Sequence, residues 1–154
     1  PKSETAHTMI AVLLEMQGKV PEAQRRYQQV LRLNPRSGIA ANNLAWLYAD
    51  QGGDLDAALQ LAQLAKELMP DQSAVNDTIG WIYYKKDQAA AAIVPFKACV
   101  DADPKNPFCH YHLGLAYAKT GDATHAKQSL SAALAISSTF DGASDARVIL
   151  GSIR

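Results

Sequence analysis

Long apolar runs are missing from this 154-residue chain: the longest, MIAVLL and AAAAIV, fall far short of the roughly 20 residues a membrane-spanning helix needs. Direct membrane insertion is therefore not expected. An excess of charge is missing too, because fifteen Lys and Arg residues balance fifteen Asp and Glu. A neutral chain has no overall electrostatic footprint for nucleic acid or an anionic surface, so no nucleic-acid partner is expected. Cysteine is scarce. Cys99 and Cys109 form no CxxC and no zinc-type spacing. They read as two small buried apolar residues rather than as a disulfide, and two thiols fix no redox compartment. A signal-peptide pattern is also missing, while the chain opens on Pro1 rather than Met, as expected of an excised or processed piece.

The combinations that catalysis needs are missing as well. The densest candidate is CHYH, Cys109 to His112. On a helix His110 and His112 stand about 200° apart and cannot grip one metal together. His110 reads instead as a core or interface histidine. DADPKNP has two aspartates at i and i+2 but lacks the third acid, the glycine and the distal Glu of a calcium loop. No glycine loop cradles phosphate. The expectation is a non-enzyme without cofactor, metal site or catalytic residues.

What the sequence does have is self-similarity. Segments starting at Ile10, Leu44, Ile79 and Leu113 share one phrase: a large aliphatic, a small residue, an aromatic or Leu three positions on, a turn, an Ala and a second apolar stripe. Pro35, Pro70 and Pro104 close the first three, at spacings of 35 and 34 residues. Within each segment the apolar spacing is three to four, the helical period, on both sides of the turn. The small residue lets two helices approach closely. A single such hairpin cannot cover its own apolar face, so neighbours must stack.

This pattern resembles the tetratricopeptide repeat, W-x2-L-G-x2-Y, then A-x3-F, then P. The third segment matches through Ile79, Gly80, Tyr83, Ala92, Phe96 and Pro104, and the fourth through Leu113, Gly114, Tyr117, Gly121, Ala126 and Leu130. Ile10, Ala11, Leu14, Gly18, Ala23, Tyr27 and Pro35 carry the first, and Leu44, Ala45, Tyr48, Gly52, Ala58 and Pro70 the second. His7, Ala41, Asn76 and His110 replace the leading Trp, the second segment has one extra residue in its GGD turn, and Asp87 stands where Gly is usual. The resemblance implies an all-α, right-handed α-solenoid forming a single domain over residues 1–154. Its repeats are expected at about 4–37, 38–72, 73–106 and 107–138. After Ser138, Ala146, Ile149, Leu150 and Ile153 fall at i, i+3, i+4, i+7 and predict a capping helix over about 141–153. Pro95 is expected to kink, not break, the second helix of the third repeat.

The residue after each small seam residue is rotated about 100° from it, toward the wall formed by the stacked first helices. That wall is expected to hold Asn42, Trp46, Asp77, Trp81, Tyr84, Lys85, Phe108, Tyr111 and Lys119. Trp46 and Trp81 either fill the angle between neighbouring helices or stand exposed as the floor of a concave groove, and an indole can do both at once. Aromatics flanked by Asn, Asp and Lys have the composition of an interaction hot spot, which favours binding. The resemblance likewise implies a non-catalytic protein–protein interaction scaffold with a protein or peptide partner in the groove. The subclass that clamps terminal carboxylates of chaperone tails is disfavoured, since of Thr8, Val12, Asn42 and Trp46 only Asn42 suits it. The alternative is an architectural or self-association module of a larger protein, giving a homo-oligomer. NNLAWLYA, DTIGWI and YHLGLAYAKTGD also resemble bacterial tetratricopeptide proteins of exopolysaccharide and surface-protein export. The compartment stays open between cytoplasm and a bacterial periplasm or cell envelope.

Overall fold

The computed structural model describes residues 3–154, and among these the regular structure is entirely helical. Eight helices form four hairpins: α1 (Glu4–Met16) with α2 (Val20–Leu33), α3 (Gly38–Asp50) with α4 (Leu55–Leu68), α5 (Ser73–Lys85) with α6 (Ala89–Ala102), and α7 (Pro107–Thr120) with α8 (Ala123–Ile136). A ninth, α9 (Ala143–Ser152), follows. The fold is therefore all-α and of the solenoid-repeat type. Contacts divide it into a first unit ending at Pro70 and a second beginning at Asp71, each described by itself.

The hairpins turn by one device. Gly18, Gly52, Asp87 and Gly121 have φ of 71°, 71°, 62° and 83°. The residue after each donates its N–H back across the turn, to Leu14, Tyr48, Tyr83 and Tyr117. This left-handed closure satisfies carbonyls that a helix end would otherwise orphan. Asp87 fills the glycine's role at its own steric cost, since aspartate tolerates this region better than most residues. The extra residue of the second hairpin is Gly53, which donates to Tyr48 before Asp54 caps α4 by accepting from the N–H groups of Asp56 and Ala57.

Small residues hold the seams. Ala11 and Ala45 on the first helices are fully buried, as are Ala23, Ala58, Ala92 and Ala126 on the second. At Gly80 and Gly114 the approach is closer still. A Cβ on Gly80 would lie 2.5 Å from the Phe96 ring, and one on Gly114 2.7 Å from Leu130. The last helix caps the fourth hairpin: buried Ala146, with Ile149, Leu150 and Ile153, packs on the cluster of Tyr111, Leu115, Leu130 and Ala133. α6 runs without a break through Pro95.

The cysteine expectation is overturned. Cys99, in the last turn of α6, and Cys109, in the first turn of α7, are fully buried and form a disulfide with Cα atoms 5.5 Å apart. The reason is topological. A spacing of ten residues spans a helix end, a tight connection and a helix start, so both side chains enter the same seam between the third and fourth hairpins. Opening this crosslink, by reduction or as a Cys99→Ala, Cys109→Ala chain, is expected to cost about 2–3 kcal/mol through the loop entropy it removes from the unfolded state. Urea midpoints with and without reductant measure it. Equal midpoints, or both thiols alkylated in denaturant before any reductant is added, would contradict the pairing.

Candidate functional site

The nine residues expected on one wall fall two in the first unit and seven in the second. In the first unit, Trp46 is half-buried and packs against the core of Ala11, Tyr27, Leu44 and Leu47. Asn42 is only 8% exposed, and its amide donates to Asn43 at 3.2 Å. Asn42 is closed off, whereas Trp46 keeps part of its surface accessible. Asn42 lies on a largely buried helix, with Gly38, Ala40, Ala41, Leu44, Ala45, Leu47 and Ala49 buried beside it.

The second unit gathers its seven on α5 and α7. The rings of Trp81 and Tyr84 stack nearly parallel, 9° apart, with centroids 5.3 Å from one another. One turn of helix between them allows this, since i and i+3 lie on one face. Two ammonium groups sit over the pair: Lys85 Nζ lies 5.3 Å from the Trp81 centroid and Lys119 Nζ 4.7 Å from that of Tyr84. Such cation–π contacts hold charge beside an apolar surface. Lys119 also bonds the Asp87 carboxylate at 2.7 Å, which raises the lysine's pKa and lowers the aspartate's. Asp87 thus serves twice, as turn residue and as counter-ion.

Under this surface lies a polar layer. His112, buried on α7, places its ring 4.8 Å from that of Trp81 and shares a 2.7 Å hydrogen bond with Asp77 of α5. Asp77 thus ties α5 to α7, its side chain 15% exposed. Tyr111 also lies beneath, 9% exposed, and donates to Asp145 of α9 at 2.6 Å. Burial, and then that carboxylate, push its phenol far above the usual tyrosine range. Phe108 remains 38% exposed at the edge, meeting Phe140 edge-on at 5.5 Å. Partly or fully accessible, then, are Trp81, Tyr84, Lys85, Phe108 and Lys119.

Sequence reasoning missed His112, Asp87, Phe140 and Asp145. His110, expected as a core or interface histidine, is half-buried with a ring nitrogen 2.9 Å from the Pro104 carbonyl. A signal for His112 existed. It occupies the position taken by Asn43 and Thr78 in the preceding repeats, just before the large aliphatic. Asn43 likewise bonds backward, to Tyr27 of the hairpin before it. Thr78 differs, its hydroxyl donating to the Ala74 carbonyl of its own helix. Among the described residues no cluster of His, Cys, Asp or Glu is arranged to hold a metal ion, and no helix is long and apolar enough to cross a membrane.

Helical hairpins with a small-residue seam, a left-handed turn and a terminal cap define a solenoid-repeat protein. Sequence profiles described as tetratricopeptide repeat match residues 8–73, 74–106 and 109–140. The chain belongs to the tetratricopeptide-repeat family. It is 28% identical over 82 residues, 53% of its length, to a TPR repeat-containing protein of Pseudomonas aeruginosa, and spans only 14% of that protein. Among solved structures it resembles a thermophilic TPR protein of Thermus thermophilus, with a TM-score of 0.84 at 22% identity, covering 98% of this chain and 81% of that one. It also resembles PilW, a type IV pilus biogenesis factor, with a TM-score of 0.82 at 20% identity over 98% and 71%. At these identities the structural likenesses establish the fold. The family's fold is typical of protein–protein interaction scaffolds.

Proposed function

We propose that this chain is a non-catalytic scaffold that seats a segment of a partner protein on the α5/α7 face of its second unit. The observation that carries the reading is the near-parallel Trp81–Tyr84 pair with an ammonium group over each ring. Rigid aromatics supply contact area at low entropic cost, and such residues dominate interface energetics. The two lysines favour an apolar or aromatic segment carrying Asp, Glu or a free carboxylate. Asp77, His112 and Tyr111 act one layer down, fixing the rings from behind. Trp46 and Asn42 belong to the first unit and contribute to its packing.

The test starts with segments selected from a random peptide display library against the intact chain. Replacing both Lys85 and Lys119 by alanine is expected to weaken the selected segments about three- to tenfold at low salt, because exposed charge contacts are each worth up to about 1 kcal/mol. Added salt should narrow the difference without abolishing binding, since aromatic burial is little screened. Equal affinity of parent and variant for every selected segment would refute the site. If the isolated chain instead forms a stable dimer that hides this face, the architectural reading prevails.

We also propose that the chain works in an oxidising compartment, the bacterial periplasm or cell envelope, in keeping with the resemblance to export-associated repeat proteins. The supporting observation is the Cys99–Cys109 disulfide, since such crosslinks are rare where glutathione and thioredoxin keep thiols reduced. Fully reduced cysteines in protein taken from its native cells under acid trapping would overturn this.

A further inference from the structure

Lys85 and Lys119 hold the same position in consecutive repeats, following Ile79 and Leu113 at equal spacing. Each places its ammonium over a ring of α5, Lys85 over Trp81 and Lys119 over Tyr84. Only one of them has a counter-ion. Lys119 bonds the Asp87 carboxylate at 2.7 Å, whereas among the described residues no carboxylate forms an ion pair with Lys85.

The difference traces to one turn. Asp87 closes the α5–α6 hairpin where the other hairpins use Gly18, Gly52 and Gly121, and its φ of 62° suits a glycine better. Strain of this kind points to work that a bare backbone could not do. The turn itself gains nothing from the side chain. Its closing bond, from the Gln88 N–H to the Tyr83 carbonyl, is the one that follows each glycine. The carboxylate reaches instead to α7, and with 84% of the Asp87 side chain and 39% of that of Lys119 exposed, the pair stands at the rim of the face. An ion pair so open to water adds little to stability. What it changes is charge. One end of the face carries the unpaired ammonium of Lys85, and the other a neutralised pair. A carboxylate arriving at Lys85 meets attraction alone, while one arriving at Lys119 must share the ammonium with a resident carboxylate of like charge.

We infer that Asp87 sets the charge specificity of the α5/α7 face: it takes up Lys119 as an internal counter-ion, so that the seated segment carries one carboxylate, on Lys85 beside Trp81, and an uncharged group over Tyr84. The inference rests on the seating of a segment at this face and adds which chemistry is admitted there. The partner segment has a single Asp, Glu or terminal carboxylate among its apolar or aromatic residues, and a polyacidic segment gains nothing from its further charges.

The test is a peptide display selection run in parallel on the 154-residue chain and on its Asp87→Asn and Asp87→Gly variants. Asparagine tolerates the left-handed turn and glycine favours it, so both variants keep the hairpin. Segments selected on the parent are expected to carry one acid, and those selected on either variant two. The second acid should gain about two- to fivefold in affinity on the variants, the range of an exposed charge contact, and nothing on the parent. Adding Lys119→Ala to either variant should abolish that gain. Equal acid counts in the three pools would overturn the inference. So would a gain that survives Lys119→Ala, or one seen with Asp87→Gly alone, which would act through the turn and not the charge. In each of these cases the seat itself stands if Lys85→Ala still weakens the segments selected on the parent. Segments indifferent to Lys85 and Lys119 alike would remove the seat, and the inference with it.

Discussion

Gly80→Leu is expected to destabilise the second unit by about 3 kcal/mol or more, the upper part of the range for forcing extra carbon into a packed seam. A Cβ alone would meet Phe96 Cδ1 and Cε1 at 2.5 Å and Cγ at 2.9 Å, distances at which something must shift. The ring has nowhere to go. It is fully buried between Ala92, Leu113 and Ala116, and its other neighbour is the His112 ring at 5.6 Å. The helices α5 and α6 would have to separate, and with them Trp81 and Tyr84 would lose their backing. Gly114→Leu should behave alike against Leu130. Gly151→Leu is the control. It sits late in α9 with nothing within 4 Å of the added carbon, so helix propensity alone should leave stability equal or slightly raised. Urea midpoints of the three variants measure the contrast, and a Gly80→Leu midpoint matching that of Gly151→Leu would refute the close seam.

Removal of residues 139–154 should have an effect of similar or greater size. The truncation takes away Phe140, Ile149, Leu150 and Ile153 from the Tyr111–Leu115–Leu130–Ala133 cluster, together with buried Ala146 and the Tyr111–Asp145 hydrogen bond. Full burial of such side chains is worth about 1.5–3 kcal/mol each, and these are partly buried, so the loss comes to about 4–8 kcal/mol. Domains of this size have only about 5–15 kcal/mol in total. The shortened chain is therefore expected to melt much earlier and to aggregate through its uncovered face, as a solenoid without its cap does. Thermal melting followed by circular dichroism, with size-exclusion chromatography, decides this. An unchanged melting temperature and a monomeric elution would mean that α9 covers nothing that matters.

Both results concern features legible in the sequence. Gly80, Gly114, Ala11 and Ala45 stand out because helix contact excludes side chains there, a steric demand that acts one position at a time. The cap was legible for the same reason, since Ala146, Ile149, Leu150 and Ile153 recur at helical spacing. What depends on two distant segments meeting was not legible. The Cys99–Cys109 bond needs the ends of α6 and α7 to enter one seam, which a spacing of ten does not reveal. The indoles show the same limit. Position along α5 places Trp81 on the surface-facing side, but its half-burial follows from His112, 31 residues later, lying under the ring. Asn42 and Tyr111 carry the right residue types for contact with a partner, yet lie inside: the Asn42 amide bonds Asn43, and Tyr111 sits in the cluster that Phe140 and α9 cover.

The central claim is that the Trp81–Tyr84 pair is where a partner lands. A Trp46→Phe chain leaves Trp81 as the sole indole, and acrylamide quenching of its emission reads water access to that one ring. With a display-selected segment at saturation, the account predicts a blue shift and a clear fall in the quenching constant, because the segment removes water from the exposed side of the ring. Emission and quenching unchanged while the segment is demonstrably bound would contradict it.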